Sequence, residues 1–186
     1  MRVVILGAGI SGHTAALVLR RRLGQEHEVV VITPKPKWNW IPSNIWVGIG
    51  HMSADDVTFD LKEVYDKSGI RLIQARATEI HPEGGDSSAQ PYVTFETTDG
   101  SSPDVQTIQY DYLINATGPR LNFEATPGLG PHGGHSLSVC TVEHAVETAS
   151  ALSELIKEMQ AEAVTVCTVE HAVEPASALS ELIKEM

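Results

Sequence analysis

The 186-residue chain has little of what several large classes of protein require. It contains only two cysteines, Cys140 and Cys167, which are too few for a disulfide scaffold. Its apolar runs, such as Val3 to Leu6, are too short to span a membrane, and Met1-Arg2 does not begin a signal peptide. With 24 acidic and 13 basic residues, the formal charge of −11 leaves no basic face for nucleic acid. We therefore expect a cytoplasmic protein with a packed core and no nucleic-acid partner.

A buried strand, a glycine-rich turn and a helix are predicted at the start of the chain, from Arg2 to Ala16. Gly7, Gly9 and Gly12 have the G-x-G-x-x-G spacing of a dinucleotide-binding turn. In such a turn the first glycine allows the bend, the second lets the backbone approach a pyrophosphate, and the third lets the helix pack on the strand. Ordinary glycine-rich loops can share this spacing, but here it joins a strand to a helix, as the dinucleotide fold requires.

The next elements complete a strand–helix–strand unit. The apolar spacing predicts a helix from about Gly12 to Leu23, with Gly24 as its C-cap, and then a buried strand from Glu28 to Ile32. The cations at 20–22 are interpreted as a solvated helix end that complements the helix dipole, and we assign them no function.

The second strand ends where a dinucleotide fold commonly has an acidic residue that binds the adenosine ribose. This chain has Thr33 there, whose hydroxyl can still bond a ribose, while Lys35 or Lys37 could meet a phosphate. The missing carboxylate weakens NAD as the ligand and leaves FAD and NADP open.

All three tryptophans lie in one short stretch, WNWIPSNIW, at residues 38–46. We expect these large rings to be buried, either as a plug of the core beneath a loop or as an apolar wall for a flat ligand.

The remaining pattern predicts an α/β fold. Helical spacing covers Val57 to Tyr65, strand residues lie between Ile70 and Ile80, and an antiparallel hairpin pairs 92–97 with 105–109. A third buried strand, from Tyr110 to Asn115, ends in the sequence ATGP. We therefore expect a Rossmann-like domain with a parallel sheet and an antiparallel β-meander, followed by C-terminal helices.

These segments together resemble the sulfide:quinone oxidoreductase group of flavoproteins. The resemblance covers about residues 1–147 and is carried by VVILGAGISGHTAA, ITPKPKWNWIPSNIWVGIG, YDYLINATGP and PGLGPHGGHSLSVCTVEHA. The group belongs with flavocytochrome c sulfide dehydrogenases and type II NADH dehydrogenases in a fold with two dinucleotide-binding domains. In that fold ATGP closes the FAD-binding segment, and a cysteine after PGLGP is characteristic of the sulfide-oxidising branch.

The resemblance implies FAD as the cofactor and sulfide and quinone as the substrates. It also implies that sulfide sulfur is taken up on a cysteine as a persulfide, with electrons passing through the flavin to quinone. The full-length family additionally has a part that contacts the membrane surface. The implied cofactor contacts are Gly7, Gly9, Ser11, Gly12, Thr33, Lys35, Ser43, Asn44, Ala77, Thr117 and Gly118.

Cys140 matches one of the redox cysteines that the resemblance implies. It also precedes Thr141, a good N-cap for a helix predicted to continue to Met159, and the positive end of a helix favours a thiolate. A buried, inert cysteine is the alternative. Glu143 and His144 are either proton carriers or surface residues of the helix.

The end of the chain departs from the family by containing a repeat. Val139–Met159 and Val166–Met186 differ only at Thr148 and Pro175. We expect the first copy to dock on the domain and the second to pack loosely, with Pro175 breaking or restarting its helix. The predicted organisation is a dinucleotide-binding domain at 1–147 and a helical tail at 148–186.

The second dinucleotide-binding domain and the membrane-contacting part of the family have no counterpart in this sequence. The chain therefore resembles the N-terminal third to half of such an enzyme. A nucleotide-binding module without its own catalysis is the main alternative. A fragment of the type II NADH dehydrogenase kind is a weaker one, because it needs a second glycine fingerprint that the sequence lacks.

Overall fold

The computed structural model describes residues 1–100, 105–132 and 134–167, with the side chains of the last helix described to residue 160. The second copy of the repeat beyond Cys167, including Pro175, therefore lies outside the described residues. The strands are β1 (Arg2–Leu6), β2 (Glu28–Thr33), β3 (Lys37–Asn39), β4 (Thr58–Asp60), β5 (Arg71–His81), β6 (Tyr92–Thr97), β7 (Val105–Gln109) and β8 (Tyr112–Asn115). The helices are α1 (Ile10–Arg22), α2 (Asn44–Gly48), α3 (Leu61–Ser68) and α4 (Val142–Cys167).

The main sheet confirms the predicted fold class. Its strand order is β7-β6-β5-β2-β1-β8, in which β5, β2, β1 and β8 run parallel while β6 and β7 form the antiparallel meander. The chain leaves β1 through α1 toward β2 on one side, whereas β8 returns on the other side. In open parallel sheets, ligands bind at such a reversal of strand order, beyond the carboxyl ends of the strands.

The two faces of the sheet bury alternate residues of the central strands. On β1, Val3 and Ile5 belong to one apolar cluster with residues of α1 and α3, including the fully buried Tyr65. Val4 and Leu6 belong to a second cluster, which the meander strands complete. Because both faces are covered, the central strands have the uniformly apolar sequences of a parallel sheet.

The predicted hairpin is confirmed, but both ends of the first helix differ from the expectation. Helix α1 begins at Ile10, two residues before the predicted Gly12, because Gly9 takes the extended N-cap conformation. Its C-cap is Leu23 and not Gly24.

The helix predicted from Val57 to Tyr65 was placed too early. Residues 54–57 form a short 3₁₀ turn whose Ser53 and Asp56 make a capping box, and β4 follows it. Asp60 then caps α3 by accepting a hydrogen bond from the Lys62 N–H at 2.8 Å. Two local caps within eight residues divided a stretch whose apolar spacing alone indicates one helix.

The long helix α4 begins where the sequence predicted and continues beyond the predicted end. The Thr141 hydroxyl accepts a hydrogen bond from the His144 N–H at 3.2 Å, which confirms Thr141 as the N-cap. The helix passes Met159 and runs to Cys167. The residues that join the two copies of the repeat, QAEAVT, contain good helix formers, so nothing there ends the helix.

The cations at the end of α1 do not all have the solvated role predicted for them. Arg21 and Arg22 are exposed, but Arg20 is buried and donates hydrogen bonds to the carbonyl oxygens of His27, Leu23 and Gly24 at 2.5–2.9 Å. Arg20 thus binds the loop between α1 and β2, and its role is structural.

Candidate dinucleotide-binding site

Two of the three glycines in the first turn are required by the protein's own packing. Gly7 has a φ of +89°, and a Cβ placed on it would lie 2.5 Å from the carbonyl oxygen of Ala116. A Cβ on Gly12 would lie 2.0 Å from the carbonyl oxygen of Gly7. The absence of a Cβ at these two positions lets the start of α1 pack closely against the ends of β1 and β8, as the spacing predicted.

Gly9 differs from Gly7 and Gly12 because its packing within the described residues does not require a glycine. A Cβ built on Gly9 would meet no atom of the described residues within 4 Å. No side chain caps α1, and its first turn contains no acidic residue, so the N–H groups around the exposed Ser11 have no capping partner. Open space beside uncapped N–H groups, at the positive end of a 13-residue helix, fits the pyrophosphate of a dinucleotide.

The ATGP segment meets this turn at the end of β8. The Cβ position of Gly7 is 3.0 Å from the Cα of Thr117. Thr117 is exposed, and its hydroxyl donates to the side-chain oxygen of Asn115 at 2.9 Å, which holds this loop in place. Gly118 follows with a φ of +72°, a conformation that glycine adopts without strain. The structure thus brings together two motifs that are more than 100 residues apart in the chain.

The end of β2 supplies charged groups that the sequence did not connect. Thr33 is only 6% exposed. Two residues later, the Lys35 ammonium lies 2.8 Å from the carboxylate of Glu143 at the start of α4. Burial would raise the pKa of Glu143, but hydrogen bonds from Lys35, from its own backbone N–H and from Thr141 outweigh burial and lower that pKa. Lys37 is likewise paired, at 3.3 Å from Asp55.

The tryptophans are less buried than predicted. Trp40 and Trp46 are 44% and 49% exposed, so neither is a plug of the core. Trp38 is half-buried, and its ring lies 4.9 Å from that of Phe59 and 5.6 Å from that of His13 on α1. The small β3–β4 sheet thereby packs an aromatic group against the helix that follows the glycine turn.

The sequence did not single out His13, which lies inside this aromatic group. Its Nδ1 is 3.1 Å from the Tyr65 hydroxyl, and burial lowers the pKa of His13 below its ordinary value of 6.5. Burial also raises the pKa of Tyr65 to about 12, so the phenol stays protonated. The sequence did offer one signal that could have identified His13, which is a polar residue at an inward position of α1.

Three of the expected cofactor contacts belong to elements other than the glycine turn, β2 and the ATGP segment. Asn44 is fully buried, and its side-chain amide exchanges two hydrogen bonds with that of Asn39, at 2.9 and 3.1 Å. Ser43 is half-buried. Ala77, on β5, packs against the second apolar cluster of the sheet. The side-chain amide of Asn44 is therefore already paired within the protein.

Cys140 is an exposed, free thiol immediately before the N-cap of α4. The segment around it is held by a small apolar cluster, in which the fully buried Ala145 meets Val47 and Val57. Because α4 continues to Cys167, its rise of 1.5 Å per residue separates the two cysteines by roughly 35–40 Å. A disulfide needs Cα atoms within about 7 Å, so the helix excludes one between these cysteines of the same chain.

A cavity of about 460 Å³ follows the ATGP segment and approaches α4. The ring of His132, in its wall, lies 5.6 Å from that of His144 on α4. The Nδ1 atom of His144 is buried and has no hydrogen-bond partner in the part of the chain that the structure describes. The lining residues are Arg120, Leu121, Asn122, Phe123, Glu124 and His132.

Among the described residues, no helix combines the length and apolar character needed to cross a membrane. Within the same part of the chain, no three residues with metal-binding side chains group together as a metal site.

An uncapped helix at a glycine turn, set at the strand-order reversal of a parallel sheet, defines a dinucleotide-binding protein of the Rossmann class. Comparison with known families narrows this class. Residues 1–182 match the pyridine nucleotide-disulphide oxidoreductase family, and the chain belongs to it.

Several relatives within the family are similar to the chain. The sulfide-quinone reductase of Aquifex aeolicus is 31% identical over 153 residues, which are 82% of this chain and 31% of the relative. Its crystal structure matches with a TM-score of 0.67 at 30% identity, over 84% of this chain and 32% of that one. The mitochondrial sulfide:quinone oxidoreductase of Mus musculus is 31% identical over 149 residues, which are 76% of this chain and 29% of the relative.

The chain spans about a third of the length of these curated relatives. FAD, expected from the sequence, is the cofactor that the family and its sulfide-quinone reductases bind. The chain is therefore assigned to a family of FAD-dependent oxidoreductases, and the features at Gly9 fit that cofactor.

Proposed function

We propose that this chain is the flavin-binding part of a sulfide:quinone oxidoreductase-like enzyme. The observation that carries the proposal is the open, uncapped phosphate site at Gly9, which lies at the same sheet edge as the ATGP segment. About 30% identity to sulfide-quinone reductases supports the choice of reaction. FAD would contact the glycine turn through Gly7, Gly9, Ser11 and Gly12, the end of β2 through Thr33 and Lys35, and the remaining positions at Ser43, Asn44, Ala77, Thr117 and Gly118.

Cys140 is the residue proposed to take up sulfide. Its thiol is exposed and lies next to the N-terminus of α4, where the helix dipole favours the thiolate. A thiolate and hydrosulfide form an S–S bond with loss of one proton and two electrons, leaving a persulfide on Cys140. Bound FAD would supply the two-electron acceptor, and quinone would be the final acceptor. This chain's part is to hold the thiol exposed and the cofactor in place.

A nucleotide-binding module without its own catalysis is the second candidate. It is compatible with the matched family and with the open site at Gly9, neither of which requires Cys140 to react. The two candidates share the cofactor site and differ in whether Cys140 reacts.

The test uses the purified full chain reconstituted with FAD. We expect visible flavin absorbance that sulfide bleaches, and we expect Cys140→Ser to keep the flavin but lose the bleaching. Cys167→Ser is the matched control, because it removes the cysteine of the second copy, and it should behave as the wild type. A colourless chain that cannot be reconstituted would contradict the cofactor proposal. Bound flavin that sulfide does not bleach would favour the non-catalytic module.

A further inference from the structure

The end of β2 lacks the acidic residue that a dinucleotide-binding site commonly has there. A dinucleotide fold commonly ends its second strand with an acidic residue that binds the ribose 2′-hydroxyl, or has an arginine nearby that accommodates a 2′-phosphate. Here the strand ends at Thr33, whose side chain is nearly inaccessible. The sequence alone therefore leaves both kinds of nucleotide open.

The structure brings a carboxylate to this strand end from another element. Lys35 is two residues beyond Thr33, so their Cα atoms are at most about 7 Å apart. The Lys35 ammonium holds the carboxylate of Glu143 at 2.8 Å, although the two residues are 108 positions apart in the chain. The side chains of Lys35 and Glu143 are 61% and 57% exposed, so a ligand can reach both.

The lysines that could meet a 2′-phosphate are both paired with carboxylates. Lys35 pairs with Glu143, and Lys37 pairs with Asp55. A 2′-phosphate at this position would approach two acidic side chains and would have to displace them from the lysines. A ribose hydroxyl would instead donate a hydrogen bond to a carboxylate that is already in place.

We propose that Glu143, anchored by Lys35, takes the role of the acidic residue missing from the end of β2. It is a specificity-determining residue that makes the site select adenosine nucleotides with a free 2′-hydroxyl over 2′-phosphorylated ones. This inference rests on the proposed function, because it requires the adenosine end of a dinucleotide to lie at this edge of the sheet.

The test compares the binding of two probes, 5′-ADP and adenosine 2′,5′-bisphosphate, to the full chain by calorimetry. The wild type should bind 5′-ADP about tenfold more tightly or better, because the bisphosphate meets a like charge. Glu143→Gln should reduce this preference to less than about threefold, because it removes the charge and frees Lys35 for the 2′-phosphate. Glu147→Gln is the matched control: it removes an exposed acid one turn further along α4 and should leave the preference unchanged.

The outcomes separate the two proposals. If the wild type binds neither probe, the assignment of the nucleotide site itself fails. If it binds 5′-ADP but Glu143→Gln leaves the preference as in the wild type, the role of Glu143 is wrong.

Discussion

The glycine turn at residues 7–12 and the Cys140 segment at residues 138–145 are held in place in different ways. In the turn the backbone packs so closely that a Cβ on Gly12 would lie 2.0 Å from the carbonyl oxygen of Gly7. The Cys140 segment lies on the surface, where one small cluster around Ala145 and the exposed Lys35–Glu143 pair hold it. We infer that the sheet fixes the position of the glycine turn, whereas the cysteine proposed to react is carried by an element that can shift without unfolding the sheet.

The largest expected effect comes from disturbing the turn itself. Gly12→Ala should destabilise the chain by about 3 kcal/mol or more, because its Cβ would collide with a backbone carbonyl that cannot turn aside. Urea unfolding followed by circular dichroism measures the loss in the free energy of unfolding. An insoluble Gly12→Ala variant would also agree with this prediction. A stability within about 0.5 kcal/mol of the wild type would show that the turn is not packed as described.

A smaller and more local effect is expected at the docking cluster of α4. Ala145→Leu adds atoms to a fully buried position between Val47 and Val57, and we expect a loss of about 1–3 kcal/mol. Hydrogen exchange should show faster exchange in the first turns of α4, with β1 and β2 still protected. Val146→Leu, at the neighbouring position that is 44% exposed, is the control and should change neither quantity. Equal loosening of α4 and the sheet would contradict the separation of the two regions.

The smallest effect should appear as a pH dependence at the aromatic group beneath the turn. Burial lowers the pKa of His13 in the folded chain, so the unfolded chain takes up its proton first as the pH falls below 6.5. The free energy of unfolding should therefore decrease from about pH 6.5 down to the folded pKa of His13 and then level off. His13→Gln should flatten this part of the profile, whereas His51→Gln, at an exposed position, should not. A profile that His13→Gln leaves unchanged would rule out His13 as its source.

The sequence predicted those features that local spacing determines. The glycine turn, the hairpin and the Thr141 cap depend on residues that are close together in the chain, and each lies where it was expected. The helix near Val57 was misplaced because the Ser53–Asp56 capping box and the Asp60 cap override apolar periodicity.

The contacts that spacing cannot determine are those between distant segments. Lys35 and Glu143 lie in unrelated patterns, and only the folded chain shows that they pair. The exposure of Trp40 and Trp46 was mispredicted for a related reason. Composition indicates that large rings favour burial, but it does not indicate whether another part of the folded chain packs over these two rings.

The central claim is that the glycine turn binds the pyrophosphate of a dinucleotide, and an FAD titration of Gly9→Val tests it most directly. A Cβ at Gly9 meets no atom of the described residues within 4 Å, so the variant should stay within about 1 kcal/mol of the wild-type stability. The valine side chain would fill the space that the pyrophosphate requires, so we expect FAD affinity to fall by about 100-fold or more. A folded Gly9→Val chain that binds FAD with wild-type affinity would contradict the account.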